Sequence, residues 1–445
     1  MSEFSAIVLG AGVSGLVSAA VLEARLNGPV LLVDEYERVG GNHISVDVGP
    51  YTFDIGSFFF QDDSPLLTHF PEMLQVYHDI GRYSISRLTP YGGVSRYPVD
   101  VRRDLFGGGP VELARILFSL LSARLRVDPA RNAESYMTFW MGRRFAARSG
   151  LQGYLERFYG TSPERIEALF TQKRMGWIAE AGSLKGVLGV LRPKKRSAGP
   201  TNRQLIRPRE GFRPLYAVAA EALRAKGVTI ALGAQMQGID RLEDGRIRLR
   251  TAQGEHVAPM MVSTIPVNRA LALCGLPEDP RIRSTTLTSL LYSFEGNRNF
   301  DSNVLYNFSD GGLWKRLTVF SDFYGEVAGR SYFAVEVVSA SEAIAPDAAH
   351  ADFRRHTEKA GILSGDLRLE GALITGNAYP AYLDGASVAA EAAARQLEEH
   401  GILAFGRQGG FDYQPTARVS TLVAEERISA ALAPQGRSAP DAAGR

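Results

Sequence analysis

Ala6-Ile7-Val8-Leu9-Gly10-Ala11-Gly12-Val13-Ser14-Gly15 is the stretch on which the fold turns. Residues 5–9 carry a short apolar strand signal, Gly10 to Gly15 form a tight turn, and residues 14–26, rich in Ala, Val and Leu, continue as a helix. Val30 to Val33 reads as a second strand, so the chain opens as a βαβ unit. In such a unit the first glycine permits the turn, the second lets a pyrophosphate approach the backbone, and the third allows close helix packing. The free N–H groups and positive dipole end of the helix favour phosphate at the same place. Asp34 ends the second strand nineteen residues beyond Gly15, where a ribose-binding carboxylate belongs. A glycine turn alone is a weak signal, but joined to Asp34 it predicts a dinucleotide site.

The rest of the composition suits this start. At 445 residues and 48.5 kDa, with 45% hydrophobic and 22% charged residues, the chain has the balance of a globular protein with two to three domain-sized cores. A net charge of +2 argues against a dedicated nucleic-acid binder. The single cysteine, Cys274, cannot form an internal disulfide, and no Cys/His grouping has zinc-site spacing, so no metal is expected. The N-terminus lacks the basic start and long apolar run of a signal peptide, and the longest apolar stretch, residues 113–125, is short and broken by Arg115 and Arg124. A cytoplasmic protein without a transmembrane span is expected; peripheral membrane contact and oligomeric state stay open.

Along the chain, residues 95–202 read as a helical insertion, with apolar positions at helical spacing around Leu113, Ile116, Leu117 and Leu120 and again over residues 154–170. Residues 191–213 are a basic loop. A helix is expected over 215–225, followed by strands at 228–232, 237–242 and 246–251 around the turn Glu243-Asp244-Gly245. Residues 286–364 are strand-rich and predict a second, mostly antiparallel sheet. Helices are expected at 386–400 and 420–431, with a disordered tail at 433–445. The expected class is α/β. Its Rossmann-type cofactor domain is discontinuous, drawn from residues 1–80, 203–285 and 365–432, with the insertion and second sheet on the substrate side.

Eight residues after the second strand's start, Arg38-Val39-Gly40-Gly41-Asn42 makes a second glycine turn. With this turn the chain resembles the FAD-binding superfamily that includes amine oxidases, protoporphyrinogen oxidases, carotenoid desaturases and UDP-galactopyranose mutases. The resemblance implies FAD as cofactor, lying along Gly10, Gly12, Ser14 and Gly15, the acidic pair Asp34 and Glu35, then Arg38, Gly40, Gly41 and Asn42. Phe53-Asp54-Ile55-Gly56-Ser57-Phe58-Phe59 resembles the stretch that passes the flavin ring, which adds Gly56 and Ser57. Gly406-Arg407-Gln408-Gly409-Gly410-Phe411-Asp412-Tyr413 resembles the C-terminal flavin motif that leads into a helix, which adds Gly406, Arg407 and Val419.

Within the superfamily, Asn42, Arg96-Tyr97-Pro98-Val99 and Phe158-Tyr159-Gly160-Thr161-Ser162-Pro163 are similar to mutase-like sequences. Trp314-Lys315-Arg316-Leu317 resembles the mutase strand whose arginine contacts the substrate diphosphate, and Asn377-Ala378-Tyr379-Pro380-Ala381-Tyr382 the segment whose tyrosines lie near the sugar phosphate. The resemblance therefore implies a nucleotide-sugar substrate held by Arg316, Tyr379 and Tyr382, with Arg207 or Arg209 on a closing loop. A nucleotide diphosphate wants planar guanidinium forks, which these residue types supply. No side-chain nucleophile is implied: reduced flavin acts through its N5, with Arg316 and Tyr379 supporting. The alternative is an oxidoreductase of the amine oxidase or protoporphyrinogen oxidase type, acting on an apolar or amine substrate. Phe58 favours it, since mutases place a histidine there. A third reading, a flavin fold retained only as a binding module, is opposed by the intact glycine turns.

Overall fold

The computed structural model describes residues 2–56, 58–182 and 202–433. Ala6–Leu9 is fully buried and lies at the centre of a five-stranded parallel sheet. Across this sheet the order is Thr229–Ala231, Val30–Val33, Ala6–Leu9, Met261–Ser263 and Ile402–Ala404. Its inner strands are almost wholly apolar because both faces are covered. On one face the helices Val13–Arg25, Phe212–Ala225 and Ala417–Leu432 share a core with Val8, Val30 and Leu32. On the other, Ile7, Leu9 and Leu31 pack under Ala386–Glu399, Val267–Leu273 and a small sheet that contains Met236–Arg241, Ile247–Thr251 and Gly254–Ala258.

A seven-stranded sheet forms the second layer, in the order Leu363–Thr375, Thr286–Arg298, Ser331–Ser339, Trp314–Val319, Val304–Asn307, Ile85–Leu88 and Val94–Arg96. Every pairing is antiparallel except Val304–Asn307 with Ile85–Leu88. Helices from Val101–Phe106 to Trp177–Gly182 cover one side of it, and their apolar faces close on Val304, Tyr306 and Phe308.

Several elements differ from the sequence expectation. The helical spacing over 154–170 resolves into two helices, Leu151–Tyr159 and Ala168–Met175, because Gly160 takes φ +65° and Pro163 follows it. The last helix begins at Ala417 rather than at 420, because Thr416 caps it by accepting the Val419 N–H at 3.3 Å. The helix Pro346–Ala360 and the hairpin Ser45–Val48 with Tyr51–Asp54 are additional elements. Part of the expected basic loop is ordered: Gln204–Ile206 is a strand between Phe60–Gln61 and His78–Gly81. Arg192, Lys194, Lys195 and Arg196 lie outside the described residues, as does the tail beyond 433.

Candidate dinucleotide and substrate site

The carboxyl ends of the parallel strands open into a cleft of about 900 Å³, large enough for an extended cofactor. Its nucleotide end is built by the glycine turns, and each glycine has a separate physical reason. Gly10 has φ +98°, and a Cβ on it would fall 2.5 Å from Thr264 Oγ1. A Cβ on Gly15 would lie 1.7 Å from the Gly10 carbonyl oxygen, so only glycine lets the helix start this close to the strand. Gly12 is different: the nearest atom to its Cβ position is Gly41 Cα at 3.7 Å, and the residue lines the cleft. No described residue requires glycine there, and the space beside it is open to an approaching phosphate. That bare backbone at a helix N-terminus fits a pyrophosphate.

Asp34 holds the turn in place, accepting the Ala11 N–H at 2.6 Å and the Tyr36 N–H at 2.8 Å. Burial raises its pKa against the opposing pull of those amides. Glu35 pairs with Arg269 at 2.5 Å on the cleft wall, and Arg38 donates to the Gly41 carbonyl at 2.9 Å. Ser14 touches Gly406, so the C-terminal segment closes directly on the glycine turn. Asn42 and Gln408 both donate to the Asn377 carbonyl, at 2.9 and 2.5 Å, and join the N-terminal and C-terminal walls. His43 is half-buried against Phe58, hydrogen-bonded to the Tyr216 hydroxyl, and held neutral because desolvation, then Arg407, push its pKa to about 3.

At the inner end of the cleft Arg407 lies over the Tyr379 ring at 4.6 Å, and its Nε is buried without a hydrogen-bond partner among the described residues. A donor left unmatched in a cleft wall calls for an acceptor from a ligand. Lys315 Nζ stands 3.3 Å from the Tyr379 hydroxyl and 2.9 Å from Glu336, while Arg316 Nε donates to Glu336 at 2.5 Å. Arg316 also donates to the Tyr306 hydroxyl at 3.1 Å and lies beside Gly56, on the stretch expected to pass the flavin. Three cations thus surround Tyr379 with one carboxylate among them. Burial works to raise the Tyr379 phenol, but Lys315, Arg316 and Arg407 together outweigh it and lower its pKa. Burial likewise opposes ionisation of Glu336, and Arg316 and Lys315 more than compensate, so its pKa is lowered.

Glu336, Lys315 and Arg174 carried no mark in the sequence. Strand alternation would send Lys315 and Arg316 to opposite faces, yet a register shift between Trp314 and Arg316 lets both reach Glu336. Arg174, on Ala168–Met175, donates to the Tyr97 and Tyr154 hydroxyls at 3.1 and 3.0 Å, and its Nε is also buried without a partner. Tyr97 stacks on Tyr306 at 4.6 Å, which places Arg174 behind the Arg316 side of the cluster.

Other expected contacts are corrected by their surroundings. Arg207 is 1% exposed, paired with Asp54 at 2.9 Å and bonded to the carbonyls of Thr52, Pro208 and Arg209. Such a guanidinium braces the Ser45–Val48 hairpin region and is not on a closing loop. Arg209 donates to the Tyr324 carbonyl nearby. Tyr382 is 1% exposed, donating to the Phe411 carbonyl at 2.8 Å and accepting the Tyr413 N–H at 2.9 Å, so its hydroxyl braces the core instead of facing substrate. The Val419 N–H is taken by the Thr416 cap, and Ser420 lines the cleft in its place. Ser57 lies outside the described residues.

Comparisons with known proteins bear on the fold that carries this cleft. The family described as NAD(P)-binding Rossmann-like domain matches residues 8–74. Chloroplastic protoporphyrinogen oxidase of Nicotiana tabacum is 40% identical over 68 residues, which are 15% of this chain and 12% of the length of that relative. A structure of reduced UDP-galactopyranose mutase superposes over 96% of this chain and 95% of its own, with a TM-score of 0.75 at 19% identity. A putative protoporphyrinogen oxidase from Exiguobacterium sp. 255-15 superposes over 97% and 98%, with a TM-score of 0.70 at 17% identity. Residues 8–74 thus match a Rossmann-like dinucleotide-binding domain, and over nearly its whole length the chain has the fold shared by UDP-galactopyranose mutase and protoporphyrinogen oxidase-like proteins.

Proposed function

We propose that the protein is an FAD-dependent enzyme that rearranges a nucleotide-linked sugar, in the manner of UDP-galactopyranose mutase. The observation that carries this reading is the buried excess of positive charge around Tyr379, three cations against Glu336. A diphosphate supplies the missing negative charge, whereas a protonated amine would be repelled. The fit to FAD rests on the open Gly12 backbone and on the unmatched Arg407 Nε. Gly12, Gly41 and the helix N-terminus would receive the pyrophosphate, and Asp34 the ribose.

Bound FAD would supply the covalent chemistry, since its reduced ring is a nucleophile. The protein's own groups bind and orient. Arg316, with Arg174 behind it, would hold the substrate diphosphate and stabilise the charge that grows on it as the sugar–phosphate bond breaks. Tyr379 would donate a hydrogen bond from its phenol oxygen, a role helped by the lowering of its pKa by Lys315, Arg316 and Arg407 against burial. Phe158, against both Lys315 and Tyr379, would exclude water from this end.

A second reading has its own support. Phe58 against neutral His43, and Phe59 stacked on Tyr83 at 3.8 Å, make an apolar wall next to Gly56. That wall suits an apolar substrate of an FAD-dependent oxidoreductase. Binding of UDP and a UDP-sugar to the purified flavoprotein, followed by flavin fluorescence in the oxidised and anaerobically reduced states, separates the two. Saturable binding that tightens on reduction supports the mutase-like reading. Absence of binding in both states, with flavin bound and reducible, removes it in favour of the oxidoreductase.

A further inference from the structure

We propose that the helix Gly109–Arg126 is a docking element for an anionic lipid bilayer. Val111, Ala114, Phe118, Leu121 and Leu125 recur at intervals of three and four and so share one face. That face is turned outward: Leu125 is 86% exposed, Phe118 75%, Leu121 65% and Val111 64%. Ile116 and Ala123, on the opposite side, are buried against the other helices. Large apolar side chains at such exposure, lined up along one helix, mark an interaction surface. Phe106, at the end of the preceding helix Val101–Phe106, is exposed as well.

Charge identifies the occupant. Residues 101–150 hold nine arginines and no lysine against four acidic residues, although the whole chain carries only +2. Arg115, Arg126, Arg143 and Arg144 line a groove directly beside Phe118. The Arg115 and Arg143 side chains are 62% and 78% exposed, with acidic neighbours only at 3.9 and 4.0 Å. An apolar stripe flanked by guanidinium groups is the pattern of a helix lying in the interfacial plane of a membrane with anionic headgroups. A second copy of the chain fits poorly, because a two-fold contact would bring the two arginine rims together. No helix among the described residues is long and apolar enough to cross a membrane, so the contact is with the surface alone.

Flotation of the full-length holoprotein with two kinds of vesicle tests this directly: phosphatidylcholine with an equal share of phosphatidylglycerol, and phosphatidylcholine alone. Association with the anionic vesicles that weakens as salt rises is expected, with little on the neutral ones. Phe118→Ser with Leu125→Ser should weaken it by roughly tenfold or more. Arg115→Gln and Arg126→Gln should each weaken it about fivefold. Because these side chains are exposed, flavin content and melting temperature should stay unchanged in all variants. No flotation, flotation equal on both vesicles, or flotation indifferent to the substitutions overturns the proposal. So does a wild-type dimer in solution that Phe118→Ser with Leu125→Ser converts to monomer, since the stripe would then be covered by a second copy.

Discussion

Among the described residues Glu336 is the only carboxylate paired with Lys315 and Arg316, and the site's electrostatics turn on it. Replacing it by Gln leaves two buried cations without a counter-charge, which should cost about 3–5 kcal/mol at neutral pH. Its lowered pKa gives the sign of the pH dependence. The carboxylate's contribution is fully present above its ordinary value of 4.5 and is lost as pH falls through the lower folded value. Urea denaturation of wild type and Glu336→Gln should therefore show a gap that persists down to that ordinary value and closes only in stronger acid; a gap of constant size would contradict the ion-pair account. Arg316→Ala tests the substrate pose. Loss of a charge-assisted contact to a diphosphate should weaken UDP-sugar binding by roughly ten- to a hundredfold, measured on the reduced flavoprotein, and unchanged affinity would mean that the diphosphate lies elsewhere. Tyr379→Phe should abolish the tyrosine ionisation that occurs at lowest pH in an absorbance titration, because Lys315, Arg316 and Arg407 lower that phenol.

At the scale of elements, the first βαβ unit was legible because each of its glycines answers a local constraint that a sequence pattern can carry. The structure separates those constraints, and a pair of substitutions tests the separation. Gly15→Ala would drive a Cβ to 1.7 Å from the Gly10 carbonyl oxygen, so the helix must move off the strand, at a cost of about 3 kcal/mol. Gly12→Ala meets nothing closer than 3.7 Å and should fold with a loss of less than about 1 kcal/mol. It should nonetheless purify with little flavin. Melting curves and flavin content on the two variants distinguish packing from ligand approach; a Gly12→Ala protein that retains full flavin would show that no phosphate touches that turn. Elsewhere, local signals were weaker than tertiary ones. Lys315 was unreadable because a β-bulge overrides the alternation that places side chains on a strand. Arg207 was expected on a closing loop because nothing local points to its partner, Asp54, which is 153 residues away. Arg174 follows Lys173 as an ordinary basic pair, and only the fold brings it to Tyr97 and Tyr154.

The whole molecule closes its cleft with pieces from across the sequence: the glycine turns, Thr264 to Arg269, Asn377, and Arg407 to Phe411. The pairing of Ala6–Leu9 with Val30–Val33 could be anticipated from the βαβ start, but the way distant segments lock together could not, because it depends on single contacts such as Asn42 to Asn377. On the FAD reading this construction couples cofactor binding to global stability. A ligand that bridges all these segments binds only the folded state, and at a hundredfold excess over its dissociation constant it adds about 2.7 kcal/mol to unfolding. The protein stripped of flavin should therefore unfold at lower urea than the holoprotein, with the difference growing with the logarithm of added FAD. Adding NAD in its place should give a much smaller shift if Arg407 and the inner cluster contact a flavin ring. Asn42→Ala should reduce the FAD-dependent shift more than it reduces the stability of the stripped protein, because its exposed hydrogen bond joins two cleft walls and supports little core. An equal loss in both forms would mean that the Asn42 bridge acts on the fold alone, and that the walls are aligned for the cofactor by the packing of Ser14 on Gly406 instead.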